Sequence, residues 1–293
     1  MNNTALKEED DPGWIMKITT VCEQNTKVPV IVQEVLDKYQ DVFPDQLPNV
    51  LPPHRAIQFD LNMKSDAKPQ HRPPFRLSQV EQASLDKFVN DLEVKGWIQL
   101  STSDWVSNIF GVPKKDSEGK LPSRREWLRT ATADTPIRWV LDYRHVNSQT
   151  EVPKIPLPNI DDLFDRMYGS TIFTKIDLAS GYHQMLVVPT ARKYTAFRTH
   201  REVYEWVVAP MGMAGMPGIW SRLMRVLFDK LPFVVVYMDD ICIFSTNEED
   251  HARHLAKVCD ILRSEKLYAR PSKCSFAVDS VDFLGHTVSR FGL

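Results

Sequence analysis

Hydrophobic spacing predicts four helices in this chain. In the first, "VPVIVQEVLDKYQDVF", apolar residues recur at i, i+3, i+4 and i+7, namely Val32, Val35, Leu36 and Tyr39. A second helix is predicted to begin after Ser78, a suitable N-cap with Glu81 three residues on, and to end at Gly96. The third lies in "PGIWSRLMRVLFDKL", where the apolar positions are Ile219, Leu223, Val226 and Leu227. The fourth lies in "HARHLAKVCDILRSEKL".

Shorter apolar runs predict strands. "SNIFGVPKKDSEGK" is typical of a strand that enters a basic turn, and "PIRWVLDYRHVN" of a second strand; the segment between them, "LPSRREWLRTATADT", is basic and predicted to be irregular. A strand ending at Asp177, a hairpin in "VVVYMDDICIF" and two strands in "CSFAVDS" and "VDFLGHTVS" follow. This alternation with helices predicts an α+β domain that contains an antiparallel sheet.

Composition excludes several classes of protein. The chain has 293 residues, 43% hydrophobic and 25% charged, as in ordinary globular proteins. Its polar, acidic start is unlike a signal peptide, and no apolar run approaches the roughly 20 residues that span a bilayer, so we expect a cytoplasmic or nuclear protein without a membrane partner. The four cysteines lack zinc-finger spacing, and a net charge of −2 gives no global sign of nucleic-acid binding.

Two adjacent carboxylates, Asp239 and Asp240, lie inside an apolar stretch. One interpretation is a hairpin turn, because a polar pair suits the connection between strands 234–238 and 241–244. The other is a metal site. If the strand that ends at Asp177 pairs beside this hairpin, three carboxylates converge, and protons or a hard cation relieve their repulsion. Two Mg²⁺ ions about 4 Å apart are a common arrangement for phosphoryl transfer.

Four stretches, in order, resemble the palm motifs of retroviral-type reverse transcriptases, in particular those of gypsy-type LTR retrotransposons. They are "KIDLASGYHQMLV", "KYTAFRTHREVYEWVVAPMGMAGMP", "VVVYMDDICIFS" and "KLYARPSKCSFAVDSVDFLGHTVS". Similarity extends back through "VPKKD", "RWVLDYRHVNSQT" and "KIPLPNIDDLFDRM" to "LPPHRAIQFDL", so that it covers about residues 40–290.

The resemblance implies a right-hand polymerase fold. An N-terminal polar and helical segment (1–50) and a Pro-rich extended arm (51–77) precede the fingers with part of the palm (78–170). Residues 171–293 form the palm through a primer-grip hairpin, and the thumb is missing. We interpret the chain as a piece of a polyprotein.

The resemblance also implies a catalytic, metal-binding triad of Asp177, Asp239 and Asp240. Asp177 and Asp239 are the main ligands of two Mg²⁺ ions, for which Mn²⁺ substitutes. Tyr182 matches the family's steric gate, a ring that collides with a ribose 2′-OH and so favours dNTPs over NTPs. The alternative for Tyr182 is an ordinary core aromatic.

The implied dNTP site is completed by cations and small residues: Lys114, Lys115, Arg138, Ser180, Gly181 and Gly212. Lys114 and Arg138 match the fingers residues that grip the triphosphate, while Lys115 leaves the register open; outside the resemblance all three are surface charges. Backbone amides of 180–182 are expected to add to the triphosphate site, since small residues let the main chain approach closely.

Primer and template contacts are implied at Tyr237, Met238, Phe283, Leu284, Gly285 and Pro217. "FLGH" resembles the primer grip, the hairpin that presses the primer 3′ end toward the metals, but its apolar residues equally suit a sheet edge. The loop 209–217 is expected to lie against the templating base and the dNTP. Its residues 215–217 are Gly-Met-Pro, where gypsy-type enzymes commonly have Asn-Ala-Pro, and it retains the family's glycine at Gly212.

An insertion of about twenty residues, 116–136, separates the fingers lysines from the arginine strand, where the family has only a few residues. Cations and an aromatic within it suit phosphate contact and base stacking on a template, namely Arg124, Arg125, Trp127 and Arg129. We favour the alternative of a floppy insertion with no role, so that shortening it leaves dNTP incorporation nearly intact.

Two other constellations are interpreted as structural. His251, His254 and Cys259 lie in "EEDHARHLAKVCDIL", where a solvated helix face explains both histidines better than a zinc site does. Tyr143 and Arg144 are expected to support the fold rather than to act in base catalysis.

The predicted function is RNA-directed and DNA-directed DNA polymerisation by a retrotransposon enzyme in a cytoplasmic virus-like particle or the nucleus. Its partners are an RNA or DNA template with primer, dNTPs, and other Pol segments such as protease, RNase H and integrase. One alternative is a truncated or domesticated, non-catalytic remnant that binds nucleic acid or protein. Another is an RNA polymerase with a related palm, against which Tyr182 argues.

Overall fold

The computed structural model describes residues 28–115 and 121–292. They pack as two compact units. The first unit comprises residues 28–46, 159–179 and 230–292, and the second comprises 47–158, apart from 116–120, together with 180–229. The predicted boundaries of the four segments stay predictions.

Helices and strands alternate along the described ranges. The α-helices, α1 to α8, are Val30–Lys38, Gln79–Val94, Arg124–Thr130, Arg144–Gln149, Ile160–Met167, Pro189–Arg192, Met216–Phe228 and Glu248–Ser264. The strands, β1 to β11, are Ile98–Leu100, Ser107–Pro113, Ile137–Leu141, Ile172–Asp177, Phe197–Arg198, Val203–Trp206, Val234–Tyr237, Asp240–Ser245, Ser275–Val278, Ser280–Phe283 and His286–Ser289. Short 3₁₀ turns span Gln40–Val42, Gly181–Gln184, Lys193–Thr195 and Pro271–Lys273.

The first unit is built on a four-stranded antiparallel sheet in the order β7-β8-β4-β9, next to the β10–β11 hairpin. Strand β4 lies inside this sheet, and Phe173 and Ile176 are fully buried. One core cluster draws on α5, the four-stranded sheet and the adjacent hairpin. The predicted strand ending at Asp177, the hairpin and the following helix are confirmed, and the last predicted strand is itself a hairpin of two strands.

The second unit contains a five-stranded sheet in the order β1-β6-β5-β2-β3, in which only the β2–β5 pair is parallel. Helix α2 packs on it through Leu85, Val89 and Leu92. The predicted start of α2 is confirmed as a capping box: the Ser78 hydroxyl accepts from the Glu81 amide, and the Glu81 carboxylate accepts from the Ser78 amide.

The Pro-rich arm, residues 51–77, runs without a helix or a multi-residue strand, as predicted. Its backbone pairs with the body at Phe59, whose amide donates to the Leu186 carbonyl and whose carbonyl accepts from the Val188 amide. The Phe59 ring is fully buried, and Arg55 donates to the Gln184 carbonyl at 2.6 Å. The arm is therefore part of the second unit's packing.

Three expectations about local structure were wrong. The segment predicted to be irregular contains α3, because Ser123 and Glu126 form a second capping box. Val226, predicted to lie on the buried face of α7, is 64% exposed. His251 lies inside the first unit and not on a solvated face. Across the described ranges, no helix combines the length and apolar character needed to cross a membrane.

Candidate active site

The acidic turn joins β7 to β8 at the edge of the first unit's sheet. Asp240 is the first residue of β8, where it pairs with Tyr237 on β7 and with Asp177 on β4. Met238 takes a left-handed φ of 54° in the turn itself. The Asp239 carbonyl accepts a hydrogen bond from the amide of Leu178 at 3.1 Å, which fastens the turn to the end of β4. The hairpin and the strand-end aspartate are thus parts of one structure.

At this edge, burial and the negative charges of neighbouring aspartates raise the pKa values of Asp177 and Asp239. Burial, reinforced by the negative charges of Asp177 and Asp240, raises the pKa of Asp239 to about 6. Burial also raises the pKa of Asp177; Asp240 adds to this rise, and the Lys273 ammonium opposes it. The Oδ1 atom of Asp239 is buried and has no hydrogen-bond partner within the described part of the chain.

Two lysines partly neutralise these carboxylates. Lys175 Nζ lies 3.1 Å from Asp240 Oδ2, and Lys273 Nζ lies 3.8 Å from Asp177 Oδ2. The first pair is mostly buried, with 23% and 26% of the side chains exposed. Each lysine therefore offsets part of the repulsion at this edge.

The residues fit a hard divalent cation in their chemistry. Carboxylate oxygens are its preferred ligands, and a buried, unpaired oxygen on Asp239 is the kind of atom that a bound ion satisfies. In the described ranges, however, no three His, Cys, Asp or Glu side chains are grouped closely enough to hold one ion. The predicted triad is therefore brought to one sheet edge, and its shared coordination of metal ions stays a prediction.

The predicted fingers cations lie on the β2–β3 ribbon of the second unit. Lys114 and Lys115 directly follow β2 and are exposed, and Arg138 is exposed on β3 opposite Val112. None of the three makes an ion pair or side-chain hydrogen bond with a described residue, which leaves all three available to phosphate. The choice between Lys114 and Lys115 stays open.

The segment after Ala179 turns sharply. Ser180 takes a left-handed φ of 50°, and a 3₁₀ turn begins at Gly181. Tyr182 is half-buried, and its ring meets the edge of the fully buried Trp220 with centroids 6.0 Å apart. This placement is compatible with both interpretations of Tyr182, so the steric gate stays a prediction.

The loop 209–217 is held by a residue that sequence reasoning missed. The Asn147 side chain donates to the Gly212 carbonyl and accepts from the Ala214 amide, both at 2.9 Å. Gly212 has φ +94°, a conformation that disfavours any larger residue. Pro217 lies in the first turn of α7 and is half-buried. The signal available in the sequence was an amide side chain on the helix after β3, because an amide can donate and accept hydrogen bonds at the same time.

The predicted primer grip is the turn of the β10–β11 hairpin. Leu284 and Gly285 take left-handed φ values of 53° and 81°, and Gly285 is exposed. Phe283 is fully buried in the core, which corrects the prediction for this side chain: it supports the hairpin from beneath. Tyr237 and Met238 are half-buried beside the acidic turn. Primer contact stays a prediction for the turn residues.

His251 is a buried structural residue and not part of a solvated face. Its Nε2 lies 2.7 Å from Thr174 Oγ1, and its Nδ1 lies 2.9 Å from Ser245 Oγ. Burial lowers its pKa to about 4. The signal was present in the sequence: Leu255, Val258 and Leu262 continue the same helical stripe. Among the described side chains no zinc-binding group is formed, and Cys259 is buried as a free thiol.

Tyr143 and Arg144 both make contacts within the second unit, and the expectation that they do not act in base catalysis stays a prediction. The Tyr143 hydroxyl is buried and donates to the Thr195 carbonyl at 2.8 Å. Arg144 pairs with Asp142 two residues earlier in the chain.

The insertion is anchored by an ion pair. Arg124 donates to both oxygens of Glu81 at 2.7 and 2.6 Å, and only 1% of the Glu81 side chain is exposed. Trp127 is also buried. The favoured interpretation of a floppy insertion is therefore wrong for its described residues, because Arg124 and Trp127 hold α3 against the fold. Arg125 and Arg129 remain exposed, and template contact stays a prediction. Residues 116–120 of the insertion lie outside the described residues.

An antiparallel sheet flanked by helices, with carboxylates at the end of one strand and at the neighbouring hairpin, is the palm of a right-hand polymerase. The chain belongs to the reverse transcriptase (RNA-dependent DNA polymerase) family, whose pattern matches residues 113–288.

Individual relatives and structures agree with this assignment. The chain is 30% identical over 281 residues to the Transposon Tf2-3 polyprotein of Schizosaccharomyces pombe, covering 94% of this chain and 19% of that protein. It is 29% identical over 268 residues to the retrovirus-related Pol polyprotein from transposon 412 of Drosophila melanogaster, covering 89% and 20%. The chain thus spans about a fifth of each. A foamy viral protease-reverse transcriptase, solved in complex with an RNA/DNA hybrid, shares the fold with a TM-score of 0.77 at 21% identity, over 99% of this chain and 37% of that one.

Proposed function

We propose that this chain is the polymerase part of a retrotransposon Pol polyprotein and extends a primer with dNTPs on RNA or DNA templates. The observation that carries the proposal is the pairing of β4 with β8, which brings Asp177, Asp239 and Asp240 to one sheet edge. There an oxygen of Asp239 is buried and has no hydrogen-bond partner among residues 28–115 and 121–292. Membership of the reverse transcriptase family supports the reaction class. A gypsy-type element is compatible with the transposon relatives.

Asp177 and Asp239 would hold two Mg²⁺ ions, or Mn²⁺ in their place, with Asp240 beside them. When bound, such ions activate a primer 3′-OH toward the dNTP α-phosphate and stabilise the departing pyrophosphate. The protein's own contribution is a pair of carboxylates held by backbone pairing at a fixed sheet edge. Burial and repulsion from neighbouring carboxylates raise the pKa values of both, which supports a site that gains from a bound cation.

The substrates are assigned from the second unit's residues. Lys114 or Lys115, with Arg138 across the ribbon, supply exposed cation donors for a triphosphate. The Ser180–Tyr182 turn supplies backbone amides, and the Tyr182 ring selects against a 2′-OH. The loop around Gly212, fixed by Asn147, contacts the templating base.

The partners follow from the relatives. The foamy viral enzyme was solved with an RNA/DNA hybrid, which supports a primed RNA or DNA template here. The relatives are polyproteins of which this chain spans a small part, so protease, RNase H and integrase segments are the proposed neighbours. The proposed setting is a cytoplasmic virus-like particle or the nucleus.

Primer extension tests the proposal. Oligo(dT) on poly(rA) and a primed DNA template are incubated with dNTPs and Mg²⁺ or Mn²⁺, and the wild type is compared with Asp239→Asn. We expect the variant to lose about a hundredfold or more of the rate, since it loses a charged ligand. Asp279→Asn is the matched control, because Asp279 is an exposed aspartate between β9 and β10 in the same unit.

Equal incorporation by the wild type and Asp239→Asn would refute the proposal. A longer chain that continues into the next Pol segment is assayed in parallel, so that weak duplex binding is distinguished from absent catalysis. Duplex binding without extension by either chain would instead support the non-catalytic remnant.

A further inference from the structure

Lys175 occupies an unusual position for a lysine. It lies in β4 between the buried residues Thr174 and Ile176, two positions before Asp177 and thus on the same face of the strand. Its ammonium contacts two acceptors: Asp240 Oδ2 on β8 at 3.1 Å, and the Asp282 carbonyl on β10 at 3.2 Å. A single side chain therefore bridges the acidic edge and the hairpin predicted to grip the primer.

This bridge differs from an ordinary surface ion pair. Exposed pairs contribute little, because water screens them and both side chains stay mobile. Here about three quarters of each side chain is buried, and the Asp282 carbonyl accepts a hydrogen bond from the same ammonium. Lys273, the other lysine near the carboxylates, is 55% exposed and lies 3.8 Å from Asp177. Lys175 is therefore the better-defined contact.

The bridge has an electrostatic consequence. Because Asp240 is paired with an ammonium, its charge is compensated locally, whereas the buried Oδ1 of Asp239 has no hydrogen-bond partner in the part of the chain that the structure describes. Of the three carboxylates, Asp177 and Asp239 are then the ones that an added cation would stabilise most. The bridge also fixes the Asp282 carbonyl, two residues before the Leu284–Gly285 turn.

We propose that Lys175 is a positioning residue, which holds Asp240 against strand β10 and so ties the cation-binding edge to the β10–β11 hairpin. It acts as an internal counterion at Asp240 and keeps the hairpin turn in register with Asp177 and Asp239. The inference rests on the proposed function and adds a residue that sets the geometry of that site.

Removal of the Lys175 ammonium should strengthen metal-ion binding and, at the same time, loosen the β10–β11 hairpin and slow primer extension. In Lys175→Met, which keeps the length of the side chain, the edge becomes more negative, so Mn²⁺ should bind the protein alone about fivefold more tightly. The hairpin loses its link, so amides of residues 280–289 should exchange with deuterium faster while those of β7 do not. Primer extension should slow, chiefly through a higher KM for the primed template. Tighter ion binding with weaker extension is not what simple misfolding produces.

Matched variants separate the possible causes. Lys230→Met removes an exposed lysine of the same unit and should change neither Mn²⁺ affinity nor hairpin exchange. Lys175→Arg should restore much of the wild-type behaviour, because a guanidinium also donates to both oxygens. In an Asp240→Asn background, Lys175→Met should change Mn²⁺ affinity less than twofold, since its partner charge is already gone. If Lys175→Met does not fold, Lys175→Gln replaces it in every measurement.

Mn²⁺ affinity is read from electron paramagnetic resonance of the free ion, and hairpin exchange from mass spectrometry. Unchanged or weaker Mn²⁺ binding by Lys175→Met, or equal exchange at 280–289, overturns the inference. These two readouts need no catalysis. If the wild type fails to extend primers while they behave as expected, the proposed function fails and the role of Lys175 in the edge stands.

Discussion

The ion pair between Arg124 and Glu81 should decide whether the inserted helix α3 stays folded. We consider Arg124→Met, which removes the guanidinium and keeps an apolar side chain of similar reach. Burial of Glu81 works against its charged form, but the Arg124 hydrogen bonds and the Ser78 amide together hold its pKa below the usual range. The pair is therefore charged in the folded protein.

The magnitude follows from the geometry. Removing Arg124 deletes two hydrogen bonds to the Glu81 carboxylate and one to the Arg76 carbonyl, and it leaves an almost fully buried carboxylate with its capping contacts alone. Breaking a fully buried pair costs about 3–5 kcal/mol. Because 52% of Arg124 is exposed, water replaces part of the loss, and we expect about 2 kcal/mol. Amides of α3 should then exchange with deuterium roughly thirtyfold faster.

Hydrogen exchange of residues 124–130 measures this change, and Arg125→Met is the control. Arg125 is its neighbour on α3, exposed and without an ion pair to any described residue. Glu81→Gln preserves the capping contact, so the double variant with Arg124→Met gives the coupling energy directly. Equal exchange in Arg124→Met and Arg125→Met would refute the reasoning. If the anchor holds, only a shortening of the insertion that spares Arg124 should leave dNTP incorporation near the wild-type level.

Three further predictions concern polar side chains that are buried or that hold a loop by hydrogen bonds. The folded state holds His251 neutral, with a pKa of about 4 against about 6.5 in the unfolded chain. Its contribution to the free energy of unfolding is therefore complete above pH 6.5 and falls by about 2 kcal/mol by pH 5. In urea unfolding, the stability difference between the wild type and His251→Gln should shrink across this range, and a constant difference would contradict the prediction. Tyr143→Phe leaves the Thr195 carbonyl unpaired and should lower the unfolding free energy by about 1–2 kcal/mol with primer extension nearly unchanged; a large loss of extension at normal stability would instead indicate a chemical role. Asn147→Ala removes both hydrogen bonds to the Gly212 loop and should lower kcat/KM for dNTP about tenfold. Asn147→Asp keeps only the acceptor, so its kcat/KM should lie between those of the wild type and Asn147→Ala. Equal loss in both variants would show that the donor alone matters.

The parts of the fold that sequence predicts well are those set by local chemistry. The start of α2 follows from a Ser–Glu capping box, and the strand ending at Asp177 follows from an apolar run closed by a charge. Helix α3 was missed although Ser123 and Glu126 carry the same signal, because the prediction weighed its basic composition above its cap. His251 was misplaced for a related reason: a polar residue was assigned to solvent without following its helical stripe.

In the candidate site, too, the features set by local sequence can be predicted and the contacts between distant segments cannot. The acidic turn and its partner strand are visible in the sequence, since each lies at the end of an apolar run. Contacts between side chains of distant segments are not. Lys175 meets the Asp282 carbonyl 107 positions away, and Asn147 meets Gly212 65 positions away. Each depends on a register that only the assembled sheet or loop defines, so no spacing rule reveals it.

The order in which the sheet strands occur along the chain bears on how the protein is synthesised. β4 is an inner strand of the first unit's sheet, yet its neighbours β8 and β9 are encoded after residues 180–229, which fold into the second unit. As the chain leaves the ribosome, β4 emerges with its apolar face and its backbone groups unpaired until residue 240 and beyond have been translated. A premature stop or frameshift anywhere in that interval yields no partial sheet. The acidic edge can therefore form only after β8 has been translated, because Asp239 and Asp240 lie on the C-terminal side of that interval.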